Sequence, residues 1–137
     1  MKKVFLDTNI FIDFFDETRV NNEQAKQLIY FLISNEIKIV FSEDMISTIA
    51  YLIDKNKLPA LMSFFKSTIT NPYFEIVSFG SSVINMACDF HLQNKGDFED
   101  YLQYFCAEKE NCCAIYTMDK NFPNLKIPIK RYGDTNI

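Results

Sequence analysis

Five short β-like runs, the first four separated by helical patterns, constrain this chain more than any other feature. The runs are Lys3–Leu6, Ile37–Phe41, Phe74–Phe79, Cys113–Met118 and Ile127–Ile129. Neighbouring strands that run parallel need a long crossover between them, and helices of this length supply one. The expected class is α/β: three layers, with a central parallel sheet of about five strands covered by helices on both faces. Pro128 puts the last run at an edge, where a missing N–H removes no ladder bond.

The helices follow from caps and apolar spacing. Asn21 or Asn22 can cap a helix reaching about Asn35, with Ala25, Leu28, Ile29 and Leu32 on one face. Ser42 can cap a second, with Glu43 and Asp44 in its first turn, where the helix dipole favours acids. Pro59 starts a third, to about Thr70. Ser81 or Ser82 starts a fourth, ending near Asn94 or Lys95. After Gly96, Asp97 caps a fifth, whose apolar stripe of Phe98, Leu102, Phe105 and Cys106 is expected to face the core. No repeat or low-complexity segment interrupts the pattern, and the 137 residues suit a single domain, 1–137.

Right-handed crossovers bring the C-terminal ends of parallel strands to one rim, where open α/β sheets bind ligands. Asp7 follows the first run, and Asp119 follows the fourth. A helix packed antiparallel to the strand it feeds begins near that same rim, so Asp97 and Asp100 arrive there too, sharing one helix face. Carboxylates held close repel one another, and a bound cation relieves the repulsion. Oxygen donors alone select Mg²⁺ or Mn²⁺ over soft metals. A hard cation so held can serve attack on a phosphate ester, with Asn9 and Thr8 orienting the groups around Asp7.

Composition narrows the alternatives. A single histidine, His91, leaves a Ser-His-Asp arrangement no base except one in a helix tail. Cys88, Cys106, Cys112 and Cys113 lack the paired spacing of a structural zinc site and read as reduced thiols. A net charge of −4 argues against general adhesion to a polyanion. It leaves room for a local basic patch at Lys120, Lys126, Lys130 and Arg131. No apolar stretch reaches the ~20 residues of a membrane span. Asp7 interrupts what would be a signal-peptide core, so no membrane association and a cytoplasmic location are expected.

Phe5-Leu-Asp-Thr-Asn-Ile-Phe-Ile-Asp13 resembles the opening of PIN domains. Asp97-Phe-Glu-Asp-Tyr-Leu-Gln-Tyr104 resembles their second acidic motif, and Tyr116-Thr-Met-Asp-Lys-Asn-Phe122 their third. Order and spacing fit over essentially the whole chain. The resemblance implies a sheet of order 3-2-1-4-5 and metal-dependent ribonuclease activity. It also implies a VapC-type toxin held inactive by an antitoxin. By position, Asp7, Asp100 and Asp119 match the metal-site acids, Asn9 and Thr117 match supporting polar residues, and Asp97 matches an acid found in some relatives. One departure stands out: PIN domains usually carry a glutamate in the helix after the second strand, six residues beyond the serine at its start, and six residues beyond Ser42 stands Thr48. Asp44, one turn earlier on that face, is the nearest carboxylate that can take its place, and the Thr48 hydroxyl can hold water but brings no charge. The missing charge points to weaker metal affinity and to an alternative role: a catalytically weak or inactive module binding RNA or protein. Surplus apolar residues on the helices from Asn21 to Asn35 and Met45 to Thr70 offer a face for an antitoxin helix or a homodimer.

Overall fold

A computed structural model describes all residues, Met1–Ile137. The chain runs β1 (Lys3–Leu6), α1 (Thr8–Phe15), α2 (Asn22–Ser34), β2 (Lys38–Ser42), α3 (Glu43–Leu52), a short 3₁₀ turn (Lys55–Lys57), and α4 (Leu58–Thr70). It continues through β3 (Phe74–Val77), α5 (Gly80–Asn94), α6 (Phe98–Lys109), β4 (Ala114–Tyr116) and β5 (Ile129–Lys130). The five strands form one sheet in the order β3-β2-β1-β4-β5, and every pairing is parallel. The order implied by the resemblance is the order found.

The sheet reverses direction of growth at β1. Crossovers through α1–α2 and through α3–α4 step outward from β1 to β2 to β3. The α5–α6 crossover then returns to β4 on the other side of β1. With right-handed crossovers, α1 to α4 cover one face, while α5 and α6, packed on each other, cover the opposite one. The central strands have continuous buried runs, Val4-Phe5-Leu6, Ile39-Val40-Phe41 and Ala114-Ile115-Tyr116, as strands covered on both faces require.

One helix was not anticipated from the sequence. Thr8–Phe15 is only eight residues, T-N-I-F-I-D-F-F, and its dense β-branched and aromatic content masks a helical period. Asp7 caps it, accepting from the Thr8 N–H at 2.8 Å. Phenylalanines then hold it: Phe11 packs at a tilt against Phe41 with ring centroids 5.0 Å apart, and Phe64 of α4 reaches Phe11, Phe14 and Phe15. Such pairs contribute about 0.5–1.5 kcal/mol each beyond burial. This aromatic cluster fixes the helix that begins at Asp7.

Two local expectations need correction. Ser42 does precede α3 at the cap position, yet its hydroxyl makes no cap bond. It donates instead to Gln103 Oε1 of α6 at 2.8 Å, across a fully buried contact. The core face of α6 is also different: Phe105 and Cys106 are buried, but Phe98 is exposed and Leu102 only partly covered. Tyr101, Gln103, Tyr104 and Ala107 take the buried positions, because α6 meets β2 on one side and α5 on the other. His91 lies against Phe98 and Tyr101 near the end of α5. All four cysteines are free thiols.

Candidate metal centre

The register of the two central strands builds the site. Leu6 pairs with Tyr116, so the next residues, Asp7 and Thr117, leave the sheet side by side. The Asp7 N–H donates to Tyr116 O at 3.0 Å, and the Thr117 hydroxyl donates to Asp7 Oδ2 at 2.7 Å. With Thr8 N–H on Oδ1, both oxygens of this carboxylate have a donor, although the side chain is 7% exposed. Thr8 thus contributes through its backbone.

Asp119 is placed by the same threonine. Its N–H donates to Thr117 Oγ1 at 3.0 Å, and its own Oδ1 accepts the Asn121 N–H at 2.9 Å, closing an Asx turn. Asn9 Oδ1 reaches the Met118 N–H at 3.5 Å, tying the first turn of α1 to this loop. Thr117 therefore sits between the two acids, accepting from one segment and donating to the other.

The third segment is the start of α6. Asp97 caps the helix by accepting the Asp100 N–H at 3.2 Å. Asp100 follows in the first turn of α6. Burial, then the Asp7, Asp97 and Asp119 carboxylates, push its carboxyl up to about 8. Burial also raises Asp7, against the Thr117 and Thr8 bonds that lower it, while Asp119 and Asp97 add to the rise.

Thr48 and Asp44 lie one turn apart on α3. Thr48 points its hydroxyl at Asp44 O, 3.2 Å away, so it bonds its own helix. The Asp44 side chain reaches toward Glu99 of α6, whose carboxyl is raised by burial first and by Asp44, Asp97 and Asp7 after it. Glu99 was not singled out from the sequence. Adjacent to Asp100, it points about 100° around the helix, toward α3 rather than β4. Nothing in its spacing distinguishes it from a solvated first-turn acid.

No carboxylate of this rim is ion-paired with a lysine or arginine; the five ion pairs of the structure lie elsewhere. No three acidic, histidine or cysteine side chains close onto a common point as a finished metal cage. The donor set nonetheless fits a hard divalent ion. It is all oxygen and comes from the ends of β1 and β4 and the start of α6; burial first, and neighbouring carboxylates after it, raise Asp7 and Asp100, a penalty on their charged forms that a cation would relieve. A cleft of about 480 Å³ between α5, α6 and Leu125 contains none of these acids and is a separate surface feature.

The fold and this rim define a class, and comparison with known proteins agrees. The PIN domain family model matches residues 4–128. The chain belongs to the PIN-domain family. Within that family it is similar to Ribonuclease VapC1 of Aquifex aeolicus (strain VF5), 35% identical over 130 residues, covering 92% of this chain and 89% of that protein. Among solved structures it resembles VapC20 of Mycobacterium tuberculosis, described as a sarcin-ricin loop cleaving toxin. There the TM-score is 0.70 at 12% identity, over 87% of this chain and 92% of that one. It also resembles a chain of a toxin–antitoxin complex from Klebsiella pneumoniae, with a TM-score of 0.68 at 17% identity, over 93% and 96% of the two chains.

Proposed function

We propose that this protein is a Mg²⁺- or Mn²⁺-dependent endoribonuclease and the toxin half of a toxin–antitoxin pair. The observation that supports the reading is that Asp7 and Asp119 follow the ends of the paired strands β1 and β4, Asp100 stands in the first turn of α6, and none of the three carboxylates is in an ion pair. The 35% identical ribonuclease relative supports the activity, and the toxin–antitoxin neighbour supports the setting.

In this reading Asp7, Asp100 and Asp119 hold the metal ion, and Asp97, Asp44 and Glu99 extend the negative field around it. When bound, the ion supplies charge neutralisation at phosphorus and a water of lowered pKa for attack on the phosphodiester. The protein supplies orientation. Thr117 and the Thr8 N–H fix the Asp7 carboxylate in one rotamer, and the Asn121 N–H does so for Asp119. Asn9 holds the loop between them. Exposed Lys120 follows Asp119 directly and suits an RNA phosphate beside the cut. A rim formed by loops and helix starts favours single-stranded or looped RNA, whose backbone can splay into it.

The antitoxin is proposed to cover apolar side chains left exposed on α3 and α4, Tyr51, Leu52, Met62 and Ile69; a homodimer face is a further use of such surface. A cytoplasmic location is proposed with this activity; no helix is long and apolar enough to cross a membrane. The single domain 1–137 is taken to carry the whole activity.

Cleavage of a varied RNA pool with Mn²⁺, compared between wild type and Asp7→Asn, tests the reading. Cleavage by the wild type alone is expected; equal cleavage by both, or by neither, removes it. The bond from Thr48 to its own helix favours a second reading, a PIN-like module that binds RNA or protein with little catalysis. No heat of Mn²⁺ binding at about millimolar concentration would select that one.

A further inference from the structure

Arg131 is the one cation of the basic C-terminal stretch that turns inward. Its Nη1 donates to the carbonyl oxygens of Thr117 and of Asp119, the latter at 3.0 Å. It makes no ion pair with any carboxylate. The two acceptors bracket the loop that delivers Asp119 to the rim.

The backbone groups of that loop account for its rigidity. Thr117 N–H pairs with Lys130 O at 3.2 Å, Met118 N–H with Asn9, and Asp119 N–H with the Thr117 hydroxyl. The loop's three N–H groups are thus spent on β5, α1 and the loop itself. The Thr117 carbonyl is held by Arg131, and the Asp119 carbonyl by Arg131 and the Phe122 N–H at 3.3 Å. Partners for both come from a residue placed by β5, a strand of only two residues. Its ladder to β4, Ile115 N–H to Pro128 O and Thr117 N–H to Lys130 O, sets Arg131 beside the loop. Without the guanidinium the Thr117 carbonyl would lose its partner and the Asp119 carbonyl one of its two, loosening the turn that carries Asp119.

We infer that Arg131 is a positioning residue, which braces the Thr117–Asp119 loop from behind and so aims the Asp119 carboxylate at the cation. The proposal rests on the metal-site reading above. It gives β5 a purpose beyond closing the sheet, and it removes Arg131 from the set of phosphate-guiding cations expected from the sequence.

Arg131→Met and Arg131→Lys, beside wild type, provide the test through three readouts. Hydrogen exchange over the 117–122 segment reports the brace directly. In Arg131→Met it should rise in that segment and stay unchanged in β1 and β2. Mn²⁺ affinity by calorimetry should fall about tenfold, as for other residues that orient metal ligands. In RNA cleavage, kcat should fall while KM stays within about twofold. A lysine ammonium carries three donors on one nitrogen, so Arg131→Lys should recover most of the protection and affinity. Should Arg131→Met fail to fold, Arg131→Lys and Arg131→Gln decide it by grading in the same order. Unchanged exchange, or unchanged Mn²⁺ affinity, overturns the brace. A rise in KM with kcat intact also overturns it and makes Arg131 an RNA contact. A wild type that binds no Mn²⁺ defeats the metal reading instead, leaving the exchange data to judge the brace alone.

Discussion

Two buried aspartates stand at opposite ends of the same eight-residue helix. Asp7 caps α1 and is 7% exposed; Asp13, in its last turns, is 3% exposed. Asp13 is fully matched: Arg19 Nε donates to one oxygen at 2.6 Å and Tyr132 OH to the other at 2.8 Å, while Asn22 holds its carbonyl at 2.8 Å. Asp7 receives a hydroxyl and a backbone N–H, then faces other carboxylates. A buried carboxylate with a cation in place ties architecture together: Asp13 joins α1, the loop before α2 and the C-terminal segment. One without a cation costs stability and is kept for what it binds.

The widest separation between the two ends should come from neutralising each. Asp7→Asn keeps a capping oxygen for α1, so the fold survives, yet RNA cleavage should drop by more than about 100-fold. Its thermal stability without metal should equal or exceed that of the wild type, since a repelling charge is gone. Asp13→Ala should show the opposite pattern: stability lower by about 2 kcal/mol in urea unfolding, with Mn²⁺ affinity retained. That figure is set below the value for a fully buried pair because the Arg19 side chain is 44% exposed. If both variants lose stability equally and keep activity, the two ends are alike and the comparison fails.

A smaller effect should appear with pH. Asp100 is held at about 8 in the folded protein against 3.8 ordinarily, and Asp7 is also raised. The folded state therefore binds protons that the unfolded state releases. This contribution to stability is complete below the ordinary carboxylate pKa and is lost as pH rises through about 8. The metal-free Tm should fall from about pH 6 to about pH 8, and Mn²⁺ should restore more at the higher pH, where fewer protons compete. Asp7→Asn should flatten that dependence, whereas Asp13→Ala should leave it in place. The mildest change is Thr48→Glu. It puts a carboxylate one turn beyond Asp44 and should raise Mn²⁺ affinity by less than about tenfold in the same titration.

The sheet and the rim acids were legible because each rests on a local rule. β1 was read with its observed ends, and the positions of Asp7 and Asp119 follow from parallel strands ending at one rim. Asp97 reads as a cap and is one. What stayed hidden depends on partners distant in sequence. Ser42 looks like a cap until Gln103, 61 residues away, takes its hydroxyl. Phe98 looks like core until α5 and β2 rotate α6 around it. Arg131 looks like a surface cation until β5 pairs with β4. The helix α1 escaped because its short aromatic run satisfies two periodicities, and the phenylalanine cluster decides between them only in three dimensions.

The central claim is that the carboxylates left unpaired at the end of β1 and β4 are ligands for one hard cation. A crystal structure grown with Mn²⁺, with anomalous data at the manganese edge, tests it most directly. The account requires an anomalous peak bonded to Asp7, Asp100 and Asp119, with Asp13 still on Arg19 and Tyr132. A rim without a peak at saturating Mn²⁺, or an ion bound away from Asp7, would contradict it.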